Sequence, residues 1–450
     1  MSENNNPKTE IERPSLCYRI FKSYLRFVHD RLYYRKTYSI NSQVIPADGT
    51  PLLIVSNHQN CLNDPLGVLF TIRDRKPYFI TRANVFEIHP LAGKFLRSIG
   101  LLPAFRLDYD GEDSLNKNGD TFKMTEQELV NGRTIVMYPE AGHQDKRWLG
   151  TFSFGYTKLA FEAAEMGNFE KDIQILPSCN HYSDYFGIQN KFMVKFGTPI
   201  SLKPFYELYK TKPRTAQREV NKLVRAQIEE LMLDIRDLDN YEAIDFLRLT
   251  YGTDYAKKNG LNPSSLPDML VSDQKLVADL DERKEQQPEA TAQLYGEALE
   301  LKHGLEKLGI KPAQLEKEVS PFWISMVLLV QFMLLPLWVA SLCPVGLFYL
   351  IPMAMFKKIC VDPMFEGTFL YAINVLFLMP LLMVLSFLFN GLLGGLISIL
   401  LWPLQILFAW YYAKWVIGSY RSIRYLMATG AQIHALRGLY NKLREKVIRK

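Results

Sequence analysis

His58 and Asp64 stand with five residues between them in the stretch Val55-Ser56-Asn57-His58-Gln59-Asn60-Cys61-Leu62-Asn63-Asp64-Pro65-Leu66. An imidazole can take a proton from an alcohol near neutral pH, and a carboxylate can orient the ring and stabilise its charged form. The same stretch also reads as a capping turn between a strand and a helix, because Asn and Asp favour that position. Further on, Arg82, Arg106, Lys146 and Arg147 follow short apolar runs. Guanidinium and ammonium groups hold phosphate through charge-assisted hydrogen bonds. Taken singly, each would serve equally as a solvated surface charge. Glu140, after Tyr138-Pro139, fits a group that positions a substrate hydroxyl or the backbone, or one that caps a helix beginning near Lys146.

These residues need elements to bring them together. Residues 48–203 alternate short apolar runs with helical stretches, the pattern of an α/β domain. Candidate strands are Leu52–Val55, Tyr78–Thr81, Thr134–Tyr138, Ile173–Pro177 and Lys191–Phe196. Most of the candidate residues follow the ends of such strands or the Gly100–Arg106 stretch, and in open α/β sheets strand ends form the ligand crevice. Ahead of the domain, residues 1–13 read as a disordered lead. Residues 14–47 read as an amphipathic membrane-interface helix: Leu16, Ile20, Tyr24 and Phe27 recur at helical spacing, with Arg19, Lys22, Arg26, Arg31 and Arg35 between. Residues 204–320 read as a helical cytoplasmic region without a catalytic constellation.

From residue 321 to 415 the composition turns apolar, in runs broken at Pro344–Gly346, at Lys357-Lys358 and at Asn390-Gly391. About 20 apolar residues cross a bilayer as a helix, so these runs predict transmembrane hairpins. Residues 416–450 form a basic tail, and positive flanks stay on the cytoplasmic side. A net charge of +6 over 450 residues is too small for a dedicated nucleic-acid binder and suits a protein on anionic lipid. The five cysteines contain no Cys-x-x-Cys pair, which points to neither a zinc site nor a disulfide framework. The polar first residues do not form a signal peptide, so the soluble part is expected in the reducing cytoplasm.

Together these residues resemble the glycerophospholipid acyltransferase superfamily, the group of 1-acyl-sn-glycerol-3-phosphate and glycerol-3-phosphate acyltransferases. Asn57-His58…Asp64 is similar to its first block, and Phe79-Ile80-Thr81-Arg82 with Pro103-Ala104-Phe105-Arg106 to its second. Tyr138-Pro139-Glu140-Ala141-Gly142 is similar to its third, usually Phe-Pro-Glu-Gly, and Ile173–Pro177 to its fourth. The resemblance implies an α/β acyltransferase domain, a mostly parallel sheet flanked by helices, followed here by a helical insert and C-terminal transmembrane hairpins. It implies His58 as the base that deprotonates an acceptor hydroxyl, with Asp64 as its support. It also implies Arg106 on the acceptor phosphate, Glu140 and Gly142 shaping the site, and Arg82, Lys146 and Arg147 as further phosphate contacts.

The implied partners are membrane lipid and an acyl-CoA or acyl-carrier protein as acyl-donor substrate, with no cofactor, no metal and no nucleic acid. The implied acceptor is 1-acylglycerol 3-phosphate. Alternatives are glycerol 3-phosphate, or no reaction at all in a lipid-binding scaffold. Three departures stand out. The family usually has four residues between the histidine and the aspartate, which puts Asn63 at family spacing. Ala141 replaces a glycine, and His143 stands where many members have arginine. Either the first turn holds an extra residue and Asp64 still meets His58, or the pair is altered. Asp64-Pro65-Leu66 resembles the family's continuation and favours the extra residue.

Overall fold

The computed structural model describes residues 14–72, 75–83, 86, 90–104, 114–140, 142, 146–360 and 362–448. They divide into two units, one of residues 1–232 with Asp362–Thr368 and one of residues 233–361 with Phe369–Lys450.

In the first unit, Leu52–Val55 are fully buried, as a short apolar run must be when covered on both faces. They belong to β2 of an eight-stranded sheet: β1 (Tyr34–Ile40), β2 (Leu52–Ser56), β3 (Tyr78–Arg82), β4 (Leu101–Ala104), β5 (Thr134–Met137), β6 (Gln174–Tyr182), β7 (Asn190–Phe196) and β8 (Ile200–Ser201). The order is β1-β7-β6-β2-β5-β3-β4, with β8 also on β6. Pairing is parallel except where β6 meets β7 and β8. The sheet is therefore mostly parallel, and the C-terminal ends of β2, β3, β5 and β6 share one edge.

β6 continues five residues past the predicted end at Pro177. Its antiparallel neighbour changes there, from β8 at Gln174-Ile175 to β7 at Ser178–Tyr182. Pro177, which has no N–H to donate, falls between these two antiparallel ladders.

The helices that flank the sheet include α1 (Leu16–Phe27), α2 (Asn63–Thr71), α3 (Pro90–Ser98), α4 (Ser114–Val130), α5 (Gly155–Met166) and α6 (Pro213–Leu231). Tyr156, Leu159, Ala160 and Ala163 of α5 share one core with Ala216, Val220, Val224 and Ile228 of α6. Each leucine, valine or isoleucine among them contributes about 1.5–3 kcal/mol on burial. The helical period of α6 thus serves this unit, and the domain boundary expected at residue 203 moves to Met232.

The interface helix expected over residues 14–47 is also corrected. Its α-helix ends at Phe27, a π-helical turn follows over Val28–Tyr33, and residues 34–40 are β1, paired with β7. Leu16, Ile20 and Phe27 are exposed. Lys22, one of the bases expected toward lipid, is buried instead, and its Nζ donates to the carbonyls of Ile72 (2.5 Å) and Arg75 (3.2 Å).

The second unit contains α7 (Tyr241–Lys258), α8 (Leu266–Gln286), α9 (Pro288–Leu308), α10 (Pro321–Val345), α11 (Leu347–Ile359), α12 (Met379–Met427) and α13 (Gly430–Ile448). Arg248 of α7 is buried between Asp245 (2.7 Å) and Asp273 (2.8 Å), so its charge is met twice. The basic tail forms α13, where Lys442 and Lys446 meet Glu297 at 2.7 and 2.9 Å and Arg444 meets Asp254 at 2.7 Å.

Among the described residues, two helical stretches, Pro321–Val345 and Pro363–Met427, are long and apolar enough to cross a membrane. Their apolar side chains face outward, with Phe332 73% and Phe389 82% exposed. α10 loses helical geometry at Cys343, and α12 does so at Gly391. Gly391 has φ +64°, a conformation open chiefly to glycine. Across this turn a Cβ on Gly395 would lie 3.0 Å from Phe387 Cα, so the chain doubles back tightly there. The break at Gly391 falls in the expected Asn390-Gly391 turn, and the break at Cys343 falls one residue before the expected Pro344–Gly346 turn.

Candidate active site

The site begins where β2 ends. After Ser56 the chain leaves the sheet, and Cys61 takes a left-handed conformation (φ +24°) that few non-glycine residues adopt. This turn returns the chain into α2, whose first turn carries Asp64. Five intervening residues therefore do not separate the pair: His58 Nδ1 lies 2.8 Å from Asp64 Oδ2. The same oxygen accepts the backbone N–H groups of Gln59 (2.7 Å) and Asn60 (2.8 Å), and Oδ1 accepts the Tyr182 hydroxyl at 2.5 Å. These donors match the acceptor-only chemistry of an ionised carboxylate. Asp64 is fully buried, whereas the His58 side chain keeps 16% exposure. With Nδ1–H directed at Asp64, Nε2 carries the lone pair that can accept a proton.

Asn63, the residue at family spacing, faces elsewhere: its Nδ2 donates to Asn60 Oδ1 at 3.0 Å. Asn60 Nδ2 in turn donates to the Tyr185 carbonyl at 3.1 Å. Asn57 locks the end of β2 to β6, donating to the Asn180 carbonyl (3.1 Å) and accepting the Asn180 N–H (2.7 Å). The turn is fixed at both ends by side chains that satisfy backbone groups.

Glu140 neither caps a helix near Lys146 nor stands open to solvent. Oε1 accepts the His58 N–H and Oε2 the Gly150 N–H, both at 2.8 Å. It ties the loop after β5 to the loop after β2. Burial pushes its carboxyl above the ordinary value, and the two N–H donors oppose that rise. Tyr138 stacks on the His58 ring, with centroids 4.3 Å apart and planes 26° from parallel. Burial, then the charge of Asp64, holds the hydroxyls of Tyr138 and Tyr182 well above their usual range, so both remain phenols.

The basic residues separate. Arg82 is the last residue of β3, in register with Ala104 of β4 and at the same sheet edge as His58. Arg106 lies outside the described residues, as do Ala141 and His143. Lys146 is exposed. Arg147, expected on phosphate, is built into the fold: it is buried, its Nη2 donates to the Tyr182 carbonyl at 2.9 Å, and its guanidinium lies 5.0 Å over the Tyr185 ring. Gly142 stands in open space, where a Cβ would meet no atom nearer than the Glu140 carbonyl at 4.0 Å. Tyr182 is missing from the sequence-derived set because the strand read from sequence ends at Pro177, and Ser178-Cys179-Asn180-His181-Tyr182 carries no period-2 alternation that would extend it.

The fold and these contacts define an α/β domain with a histidine–aspartate pair at the C-terminal edge of its central strand. Residues 36–180 match the family model described as Acyltransferase. The match takes in most of β1 through most of β6 and the whole His58–Asp64 turn. Among solved structures, the chain is similar to the 1-acyl-sn-glycerophosphate (LPA) acyltransferase PlsC of Thermotoga maritima. The two are 17% identical with a TM-score of 0.32, over 46% of this chain and 78% of that one. No curated protein matches the chain.

Proposed function

We propose that the protein transfers a fatty acyl group from an acyl thioester to a hydroxyl of 1-acylglycerol 3-phosphate. The observation that carries this reading is the Tyr182–Asp64–His58 chain of hydrogen bonds inside a domain of the acyltransferase family. The acceptor O–H gives its proton to His58 Nε2 as its oxygen forms a bond to the thioester carbonyl carbon. Asp64 stabilises the imidazolium at 2.8 Å. When the tetrahedral intermediate collapses, the C–S bond breaks and the leaving thiolate takes the proton from His58. The products are an oxygen ester and a free thiol, and the histidine is neutral again. General-base catalysis of this kind contributes about 10²–10⁴ in rate.

Arg82, Arg106 and Lys146 are the groups proposed to hold the acceptor phosphate. Acyl-CoA or acyl-carrier protein is the proposed donor, and no metal or cofactor enters the steps. The apolar helices are proposed to insert in a membrane, with the acyltransferase domain on the cytoplasmic side where such thioesters occur. The test is a mass-spectrometric product assay on the detergent-purified chain with acyl-CoA and, separately, 1-acylglycerol 3-phosphate and glycerol 3-phosphate. Phosphatidate from the first acceptor is the expected product. 1-Acylglycerol 3-phosphate from the second would reassign the acceptor, and no product from either would leave a lipid-binding domain.

A further inference from the structure

One segment far from the motif in sequence lies directly against its turn. Asp362–Thr368, continuous at both ends with the apolar helices, belongs to the same unit as β2 and α2. Asp362 Oδ1 accepts the Met364 N–H at 2.9 Å, which starts a short turn of 3-10 helix, and Met364 is buried. Glu366 accepts the backbone N–H of Gly187. Thr368 Oγ1 then accepts the backbone N–H of Leu62 at 3.1 Å, across 306 residues of chain.

Leu62 is the residue after left-handed Cys61 and two before Asp64, so this bond fixes the far side of the turn. Gly367 completes the fit. A Cβ there would sit 2.8 Å from Tyr33 Oη, 2.9 Å from Asn63 Nδ2 and 3.1 Å from Asn60 Oδ1, all closer than such contacts normally come. Those last two atoms form the hydrogen bond that braces the turn, and the Asn60 N–H is itself a donor to Asp64. Only a residue without a side chain lets the segment approach this closely.

We propose that Gly367 and Thr368 are positioning residues for the His58–Asp64 pair, an inference that rests on the acyltransferase reading above. The extra residue in the turn lengthens the loop between base and carboxylate, and this segment holds the longer loop in register. Misplacing a catalytic group by about 1 Å costs about 10²-fold in rate, so a looser turn is felt in kcat without altering substrate contacts.

The experiment measures kcat and KM for acyl-CoA and 1-acylglycerol 3-phosphate on the full chain in detergent. The variants are Thr368→Val, Thr368→Ser, Gly367→Ala and His58→Ala, with thermal unfolding of each. Thr368→Val keeps the shape and removes the acceptor; kcat is expected to fall about tenfold with both KM values unchanged, and Thr368→Ser to restore it to within about twofold. Gly367→Ala is expected to lower kcat at least as far, and it decides the matter should Thr368→Val fail to fold. Wild-type kcat in a folded Thr368→Val, beside an inactive His58→Ala, overturns the positioning role alone. Full activity in His58→Ala overturns His58 as the base, and this proposal with it, whereas no product from the wild-type protein overturns the acyltransferase reading.

Discussion

Glu140 Oε1 accepts the backbone N–H of His58 at 2.8 Å, while its other oxygen holds Gly150 N–H at the same distance. The carboxylate of the Tyr-Pro-Glu block is thus a clamp between two loops that meet at one sheet edge. A glutamine there would place an NH₂ against one of the two N–H donors. Glu140→Gln is expected to destabilise the domain by about 1–3 kcal/mol and to lower kcat. Thermal unfolding with a steady-state assay checks this, and an unchanged melting temperature would contradict it.

Asp64 and Asn63 answer separately. Both Asp64 oxygens receive donors, so Asp64→Asn sets an amide against at least one of them and removes the charge that stabilises imidazolium. Its kcat is expected to fall by about 10²–10⁴. Asn63→Ala removes one brace to Asn60 and is expected to stay within about tenfold of wild type. Equal losses in the two variants would contradict the assignment of Asp64.

Tyr138 stacks on His58, yet its buried hydroxyl has no hydrogen-bond partner among the described residues. An unsatisfied buried hydroxyl costs about 1–3 kcal/mol. Tyr138→Phe keeps the ring and is expected to raise the melting temperature while preserving kcat. A drop in kcat of about tenfold or more would assign the hydroxyl a part in the reaction.

Glu126 of α4 sets a pH dependence. Burial first, then Glu162 nearby, raises its carboxyl to about 7. An unfolded glutamate titrates near about 4.3. Between those values the folded protein holds a proton that the unfolded chain has released, so stability falls as pH rises through that window and levels off above it. Glu126→Gln is expected to flatten this slope and to raise the melting temperature at pH 8 by about 2–4 °C. Parallel melting curves against pH for the two proteins would contradict the assignment.

The parts of this site that sequence makes legible are those whose cause is local. Leu52–Val55 is apolar because both faces of a central parallel strand are covered, and the polar break after it carries His58 and Asp64. The parallel sheet, and the breaks near Cys343 and Gly391, follow from similarly local patterns. Tyr182 was hidden because β6 passes its proline only by changing partners, a tertiary event. Residue type suggests a phosphate contact for Arg147 and an interface base for Lys22, but it does not say which carbonyls a side chain can reach; both are buried donors to backbone oxygens. Thr368 reaches the motif from 306 residues away, and nothing in either stretch announces the other.

The central claim is that His58, held by Asp64, takes the acceptor proton. Its most direct test is the rate of phosphatidate formation from acyl-CoA and 1-acylglycerol 3-phosphate by detergent-purified His58→Ala, beside wild type and with matched unfolding curves. The account predicts a folded protein whose rate is lower by at least about 10²-fold. A folded His58→Ala working at the wild-type rate would contradict it.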